Sequence, residues 1–339
     1  MEEETTQPPT KSICVLGGGA MGTACCIVLS EKPTNSVRLW VRNPVFASHI
    51  AETRENTRLL PGVRIPAGVA VTSDPERALG GADIVLVCVP TRAIRDSVGS
   101  LLEHIPTSAL MVSAVKGIEV ETLVRPSEII QELLGSRSVV ALGGPCHAEE
   151  AAVGKPATVV AASDDSAATE TVQRTFSNRH FRVYSSADLR GVELAGALKN
   201  VIAIAAGIGD GLEFGDNAKS ALITRGLAEM VRFGTAMGVD AQTFYGLAGI
   251  GDLIATCGSR HSRNRRVGEL LGRGQTLAEI QKSMQAVAEG VNTAKSICAI
   301  ASQRDVDMPI AHAVHDVLFD GKSPGQATEE LMQRPLKEE

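Results

Sequence analysis

Aromatic side chains are scarce in this chain of 339 residues: one Trp, two Tyr and seven Phe, or 3% of the sequence. Its core must therefore be built from Ala, Val, Leu and Ile, which suits a parallel α/β sheet with closely packed helices. An excess of positive charge is missing as well. The formal net charge is −6, so the molecule as a whole does not attract nucleic acid or an anionic membrane. Any anionic ligand must be held by a local cluster of cations. Paired cysteine motifs are also absent. Cys14, Cys25, Cys26, Cys88, Cys146, Cys257 and Cys298 include no C-x-x-C pair, and most sit in apolar runs. They are expected to be small buried hydrophobes in a reducing, cytoplasmic setting, with no disulfide framework and no metal site.

No run reaches the roughly 18 apolar residues that a membrane span needs. The uncharged stretch 12–30 comes nearest. Three glycines interrupt it, and the residues before it are acidic (Glu2, Glu3, Glu4) where a secretion signal is basic. It reads as strand, turn and helix. The length fits two domains.

Residues 1–10 are polar with two prolines and read as a flexible tail. Short apolar runs follow at 13–16, 36–41, 83–89, 109–114 and 138–142, with weaker strand candidates at 157–161 and 181–184. Helical patterns separate the later ones. This alternation predicts a parallel, doubly wound sheet. Strand-like runs nearly vanish after residue 188. Residues 191–207 read as one helix that is apolar on almost every side and hence buried. Further helices are predicted at 218–238, 276–285 and 291–303.

The motifs place chemistry on this frame. Gly17-Gly18-Gly19-Ala20-Met21-Gly22 is a G-x-G-x-x-G that directly follows a strand and opens a helix. Gly17 permits the tight turn, Gly19 admits a pyrophosphate to the backbone, and Gly22 lets helix and strand pack closely. The first unit is therefore read as a Rossmann-type dinucleotide-binding domain over 11–190. An all-α C-terminal domain over 191–335 is expected to carry substrate binding and dimerisation. The second strand ends in Arg42 where an NAD-only site usually carries Asp or Glu. Arg42 fits a 2′-phosphate or stacks on adenine, which favours NADP.

Lys116 follows the strand 109–114, at the strand ends where substrate or nicotinamide binds in such sheets. The loop 143–148 (Gly143-Gly144-Pro145-Cys146-His147-Ala148) lies at the same edge. Adjacent residues on extended chain point apart, so Cys146 and His147 do not read as a catalytic dyad. Lys199-Asn200 sits inside the apolar helix. Desolvation there lowers the lysine pKa and makes it a usable proton donor or acceptor near neutrality. Asp252, in a glycine turn at 249–252, either pairs with Lys199, binds a substrate hydroxyl or caps the turn. The run 260–266 (Arg260, His261, Ser262, Arg263, Asn264, Arg265, Arg266) is a local basic cluster in an acidic chain. Arginine forks match phosphate oxygens, and without stacking aromatics the cluster reads as a small-phosphate site.

As a set, these segments resemble the bacterial NAD(P)-dependent glycerol-3-phosphate dehydrogenase family. The resemblance runs from about residue 13 to 331. It rests on GGGAMGTA at 17–24, WVRNP at 40–44, NTRLLPGVRIP at 56–66, VKGIE at 115–119, GGPCHAEE at 143–150, GVELAGALKNVIAIAAG at 191–207, TRGLAE at 224–229, GLAGIGDL at 246–253, SRNRRVG at 262–268 and AEGVNTAK at 288–295. It implies reduction of dihydroxyacetone phosphate to glycerol 3-phosphate for phospholipid synthesis, with NADP or NAD as cofactor, in a cytoplasmic homodimer. Lys199 would be the general acid/base at C2, and Lys116 a contact to substrate and cofactor. Gly144, Cys146, Asp252, Ser262, Arg263 and Asn264 would bind substrate. Ala20, Met21, Arg42, Ala148, Arg263, Val287 and Glu289 would contact the cofactor. Met21, Leu59, Val115 and Cys146-His147 depart from the residues usual in that family; the thiol at 146 replaces a hydroxyl. The rival readings are a 3-hydroxyacid or 6-phosphogluconate-type dehydrogenase and a non-catalytic NAD(P)-binding sensor.

Overall fold

The computed structural model describes residues 11–284, 288–336 and 338. The expected tail at 1–10 lies outside them. Eight strands form one sheet: β1 (Lys11–Leu16), β2 (Asn35–Trp40), β5 (Ala70–Thr72), β6 (Ile84–Val87), β7 (Leu110–Ser113), β8 (Val139–Gly143), β9 (Ala157–Ala162) and β10 (Phe181–Ser186). Their order is β10-β9-β8-β7-β6-β1-β2-β5. A small antiparallel hairpin, β3 (Glu55–Asn56) with β4 (Leu60–Arg64), stands apart.

The inner strands are buried almost throughout, as a sheet covered on both faces requires, and successive side chains enter opposite layers. Ile13, Val15, Ile84, Leu86 and Val112 face one apolar layer, shared with the helices Ala20–Ser30 and Ser166–Phe176. Cys14, Leu16, Val85, Val87 and Met111 face the other, packed by the helices Pro75–Leu79, Ile94–Gly99 and Pro126–Leu134.

The sheet is mixed where an all-parallel one was expected: β8 and β9 run antiparallel. The residues joining them hold only the four-residue helix Ala148–Ala151. So short a link has no helix long enough to carry the chain back along the sheet, as a parallel crossover demands. The short strands β3, β4 and β5 had no apolar alternation to announce them.

From Leu189 onward the described residues hold helices and no strand. The helix Leu189–Gly211 is the axis of this part, with eighteen buried positions. By length and composition it passes for a membrane span, yet 94% of its apolar window is packed inside the protein. The helices Gly215–Ala236, Asp252–Gly258, Arg263–Gly272 and Glu289–Arg304 surround it. Its first turns also touch the sheet, through Leu189 and Val192 against Ala141, Val160 and Ala162. All seven cysteines are free.

Candidate active site

The turn after β1 has the shape its glycines imply. Gly17 takes φ +118°, and a Cβ there would lie 3.2 Å from the Cys88 carbonyl. A Cβ on Gly22 would fall 2.1 Å from the Gly17 oxygen, so helix and strand touch through bare backbone. At Gly19 a Cβ would meet nothing nearer than 4.0 Å, which leaves that side open to a ligand. Gly19 also stands at the N-cap of the helix Ala20–Ser30 with no capping side chain and no acidic residue in the first turn. The amides of Ala20, Met21 and Gly22 are available to phosphate oxygens. The residues present fit a dinucleotide.

Lys116 and the loop beyond β8 stand at the carboxyl-end edge of the sheet, as that turn does. Lys116 Nζ donates to the Gly144 carbonyl at 2.8 Å and to Asp252 Oδ2 at 2.7 Å. Its stem crosses the long helix at Gly196, where a Cβ would lie 3.4 Å from Lys116 Cγ. Lys199 Nζ donates to the other Asp252 oxygen at 3.0 Å and to Thr256 Oγ1 at 2.6 Å. One carboxylate therefore holds both ammonium groups. Side-chain exposure falls from 18% at Lys116 to 7% at Lys199 and 2% at Asp252. Each ammonium uses two of its three donors and keeps one.

Burial sets the proton chemistry. Desolvation brings Lys199 down to about 8, against the opposing pull of Asp252. Asp252 is itself desolvated, but Lys116 and Lys199 outweigh that and hold its carboxyl below the usual range. Burial pushes the Cys146 thiol up to about 12, so it is no nucleophile at neutral pH. His147 Nε2 lies 3.3 Å from the Ala255 carbonyl oxygen, and burial lowers its pKa.

Asp252 does not cap a simple turn. Leu247–Gly251 forms one π-helical turn that runs directly into the helix Asp252–Gly258. Gly249 is required there, because a Cβ would sit 2.0 Å from the Phe244 oxygen. The helix places Thr256 one turn beyond Asp252, on the face toward Lys199. Sequence reasoning missed Thr256. Its signal is the i, i+4 spacing from Asp252, which stays hidden while 249–252 reads as a turn.

The basic cluster divides. Arg265 is committed to Asp210 at 2.5 Å and Glu269 at 3.1 Å, and Arg266 pairs with Glu269 at 3.2 Å. Arg263 is exposed and has no hydrogen bond or ion pair among the described residues. It opens the helix Arg263–Gly272, whose N-cap is Ser262. Asn264 is buried, and its amide is used internally: Nδ2 donates to Asn200 Oδ1 at 2.9 Å, and Oδ1 accepts the Gly290 N–H at 2.9 Å. Asn200 Nδ2 in turn donates to the Lys116 carbonyl at 3.1 Å. This amide chain links the Lys116 loop, the long helix, the Arg263 helix and the start of the helix Glu289–Arg304. Glu289 is half-buried, its carboxyl raised by desolvation against the opposing influence of neighbouring Thr91 and the charge of Arg263. Ala148 is buried at the start of its short helix, and Arg42 is exposed beyond β2. Val287 lies outside the described residues.

A model of the NAD-dependent glycerol-3-phosphate dehydrogenase N-terminus matches residues 12–169, and one of the C-terminus of the same family matches residues 188–329. A glycerol-3-phosphate dehydrogenase [NAD(P)+] from Chlorobium phaeobacteroides is 47% identical over 330 residues, covering 96% of this chain and 98% of that protein. One from Bacillus subtilis is 46% identical over 327 residues, covering 96% of this chain and 94% of that protein. The crystal structure of glycerol-3-phosphate dehydrogenase from Coxiella burnetii superposes with a TM-score of 0.92 at 34% identity, covering 96% of this chain and all of that one. With a dinucleotide turn, a helical half and both family models in register along it, the chain belongs to the NAD-dependent glycerol-3-phosphate dehydrogenase family.

Proposed function

We propose that Lys199 is the general acid/base of this enzyme. The reaction is that of the family: NAD(P)-linked interconversion of dihydroxyacetone phosphate and glycerol 3-phosphate. The observation that carries the assignment is the buried pair of lysines on one Asp252 carboxylate, each with a donor to spare. The nicotinamide, when bound, supplies or accepts the hydride. Lys199 gives its proton to the C2 oxygen in reduction and takes it back in oxidation. Its position near neutrality suits both directions. Lys116 donates its free N–H to substrate oxygen and stabilises charge as it develops. Asp252 holds both ammoniums in place, and Thr256 fixes the Lys199 rotamer.

In this reading Arg263 binds the substrate phosphate, aided by Ser262 and the amides of its helix N-terminus. Asn264 touches substrate with its remaining amide hydrogen, and Gly144 and Cys146 line the same loop. Gly17, Gly19, Ala20, Met21, Gly22, Arg42, Lys116, Ala148, Arg263, Val287 and Glu289 contact the cofactor. Arg42 favours NADPH, since no carboxylate replaces it at the end of β2. Residues 11–190 act as the dinucleotide unit and 191–335 as the substrate unit. We assign a homodimer, joined through the helix Gly215–Ala236, where Leu222, Ile223, Leu227 and Val231 are only partly covered. A cytoplasmic location suits its seven unpaired thiols.

The test is loss of reduced-nicotinamide absorbance with dihydroxyacetone phosphate, run with NADPH and with NADH. Turnover that collapses in Lys199→Ala while cofactor binding survives supports the assignment. Unchanged turnover in that variant removes it. Higher activity on a 3-hydroxy acid would transfer the chain to the rival dehydrogenase class.

A further inference from the structure

Two exposed arginines near the dinucleotide turn, Arg42 and Arg58, have no partner for their charge among the described residues. Arg42 directly follows Val41 at the end of β2 and is exposed. Arg58 is exposed too. Neither makes a side-chain hydrogen bond or an ion pair among the described residues. Arg58 has one recorded contact of another kind: its guanidinium carbon lies 5.4 Å from the centroid of the Phe46 ring. Phe46 belongs to the helix Pro44–Thr53, whose N-cap, Asn43, is the residue after Arg42. Asn43 accepts the Phe46 N–H, which draws the start of that helix back toward Arg42.

The segment that carries Arg58 is fastened to the glycine turn. Asn56, fully buried, donates to the Gly18 carbonyl at 3.0 Å and to Thr23 Oγ1 at 2.9 Å. Its Oδ1 accepts the Leu59 N–H at 3.1 Å, which closes the backbone around Arg58. Thr23 lies on the helix that the turn opens. The hairpin tip therefore sits beside the dinucleotide turn by direct hydrogen bonds, and Arg58 is two residues from the anchor. The nearest carboxylate in sequence, Glu55, is engaged with the Gly62 N–H at 2.8 Å. Two cations without an acidic partner among the described residues thus stand on segments that touch the dinucleotide turn, Arg58 through Asn56 and Arg42 through Val41, which packs against Gly18, in a chain of net charge −6.

We infer that Arg58 is a specificity-determining residue, closing with Arg42 a two-arginine clamp on a 2′-phosphate of the adenosine ribose. The inference rests on the reading of Arg42 given above. A monoester dianion between two guanidinium forks gains charge-assisted hydrogen bonds from each. The Phe46 face restricts where the Arg58 head can go, which lowers the cost of ordering it on binding. An unphosphorylated ribose offers the second fork nothing, so the gain falls on NADP alone.

The experiment measures binding of two fragments, 2′,5′-ADP and 5′-ADP, to the full chain by isothermal titration calorimetry. Both report on the site without turnover. Wild type, Arg42→Gln and Arg58→Gln are compared. Arg58 is exposed, so its replacement leaves the fold in place. The clamp predicts that each variant weakens 2′,5′-ADP about ten-fold while 5′-ADP moves less than about two-fold. Loss in Arg42→Gln with none in Arg58→Gln overturns the clamp and leaves the Arg42 reading standing. Equal loss of both fragments in Arg58→Gln also overturns it, since Arg58 then serves the adenine or the hairpin. Equal binding of the two fragments by wild type overturns the clamp and the Arg42 reading together.

Discussion

Lys199 and Asp252 lie 3.0 Å apart, both buried, on helices that cross at the centre of the all-α part. The lysine stands in a helix with buried apolar neighbours on every side, so its charge survives there only beside a carboxylate. Asp252 supplies that carboxylate and shares it with Lys116. The three groups carry one net positive charge when all are ionised. Such a site receives an anionic substrate without neutralising itself first.

Lys199→Ala is expected to lower kcat at least about a hundred-fold, the range in which general acid–base groups contribute. Its pH signature separates the two directions. Reduction needs the ammonium, so kcat/KM for dihydroxyacetone phosphate falls as pH rises through about 8. Oxidation needs the free amine, so kcat/KM for glycerol 3-phosphate rises through the same value. Two pH–rate profiles with parallel limbs would place the proton on another group.

Asp252→Asn removes the largest attraction that holds the Lys199 pKa up against desolvation. The limb of the reduction profile is expected to move to lower pH. Two lysines then face each other without a counter-charge. Breaking a buried pair in this way costs about 3–5 kcal/mol of stability. Chemical denaturation measures the loss, and a pH profile unmoved from wild type would show that Asp252 does not set the lysine.

Much of this was legible beforehand. The glycine turn could be read because a strand ending in G-x-G-x-x-G has one mechanical purpose, and Lys199 because a cation in an apolar helix demands a partner. The meeting of Thr256 with Lys199 and the amide chain Asn200–Asn264–Gly290 could not be read. They depend on which helices cross, and helix crossing leaves no local periodicity. The basic run 260–266 read as one small-phosphate site, but which of its arginines is free to serve one was not legible. Arg265 is tied to Asp210, 55 positions away, and only the fold separates it from the unpaired Arg263.

The glycines on the long helix had no reading in the sequence, and their role is contact. A Cβ on Gly207 would fall 1.9 Å from the Arg265 oxygen, and one on Gly268 would fall 1.9 Å from the Ile204 oxygen. The helices Leu189–Gly211 and Arg263–Gly272 therefore meet backbone to backbone. That contact sets the distance from Lys199 to Arg263. Gly268→Ala is expected to force the helices apart, lower Tm by several degrees and raise KM for dihydroxyacetone phosphate more than KM for the cofactor. Gly325→Ala, where an added Cβ meets nothing within 4 Å, is the control. It should leave stability the same or improve it by up to about 1 kcal/mol. A Gly268→Ala protein with wild-type Tm would mean the contact is not maintained in solution.

Glu229 gives the last prediction, and it concerns stability away from the site. It is 3% exposed on the helix Gly215–Ala236 and accepts the Ile310 and Ala311 N–H groups at 2.7 and 3.3 Å. A cavity of about 680 Å³ opens beside it, away from the lysine pair. Desolvation raises its carboxyl from 4.5 to about 7, outweighing those N–H bonds and the charge of Arg232. The folded chain therefore binds this proton more tightly than the unfolded one. The resulting stabilisation is complete below about pH 4.5 and is lost as pH rises to about 7, an effect of at most about 3 kcal/mol. Glu229→Gln removes the titration and keeps one acceptor for the Ile310 N–H. The variant should melt above wild type at pH 8, with the difference shrinking or reversing at pH 5. Melting curves whose separation is the same at both pH values would show that Glu229 does not titrate in this window.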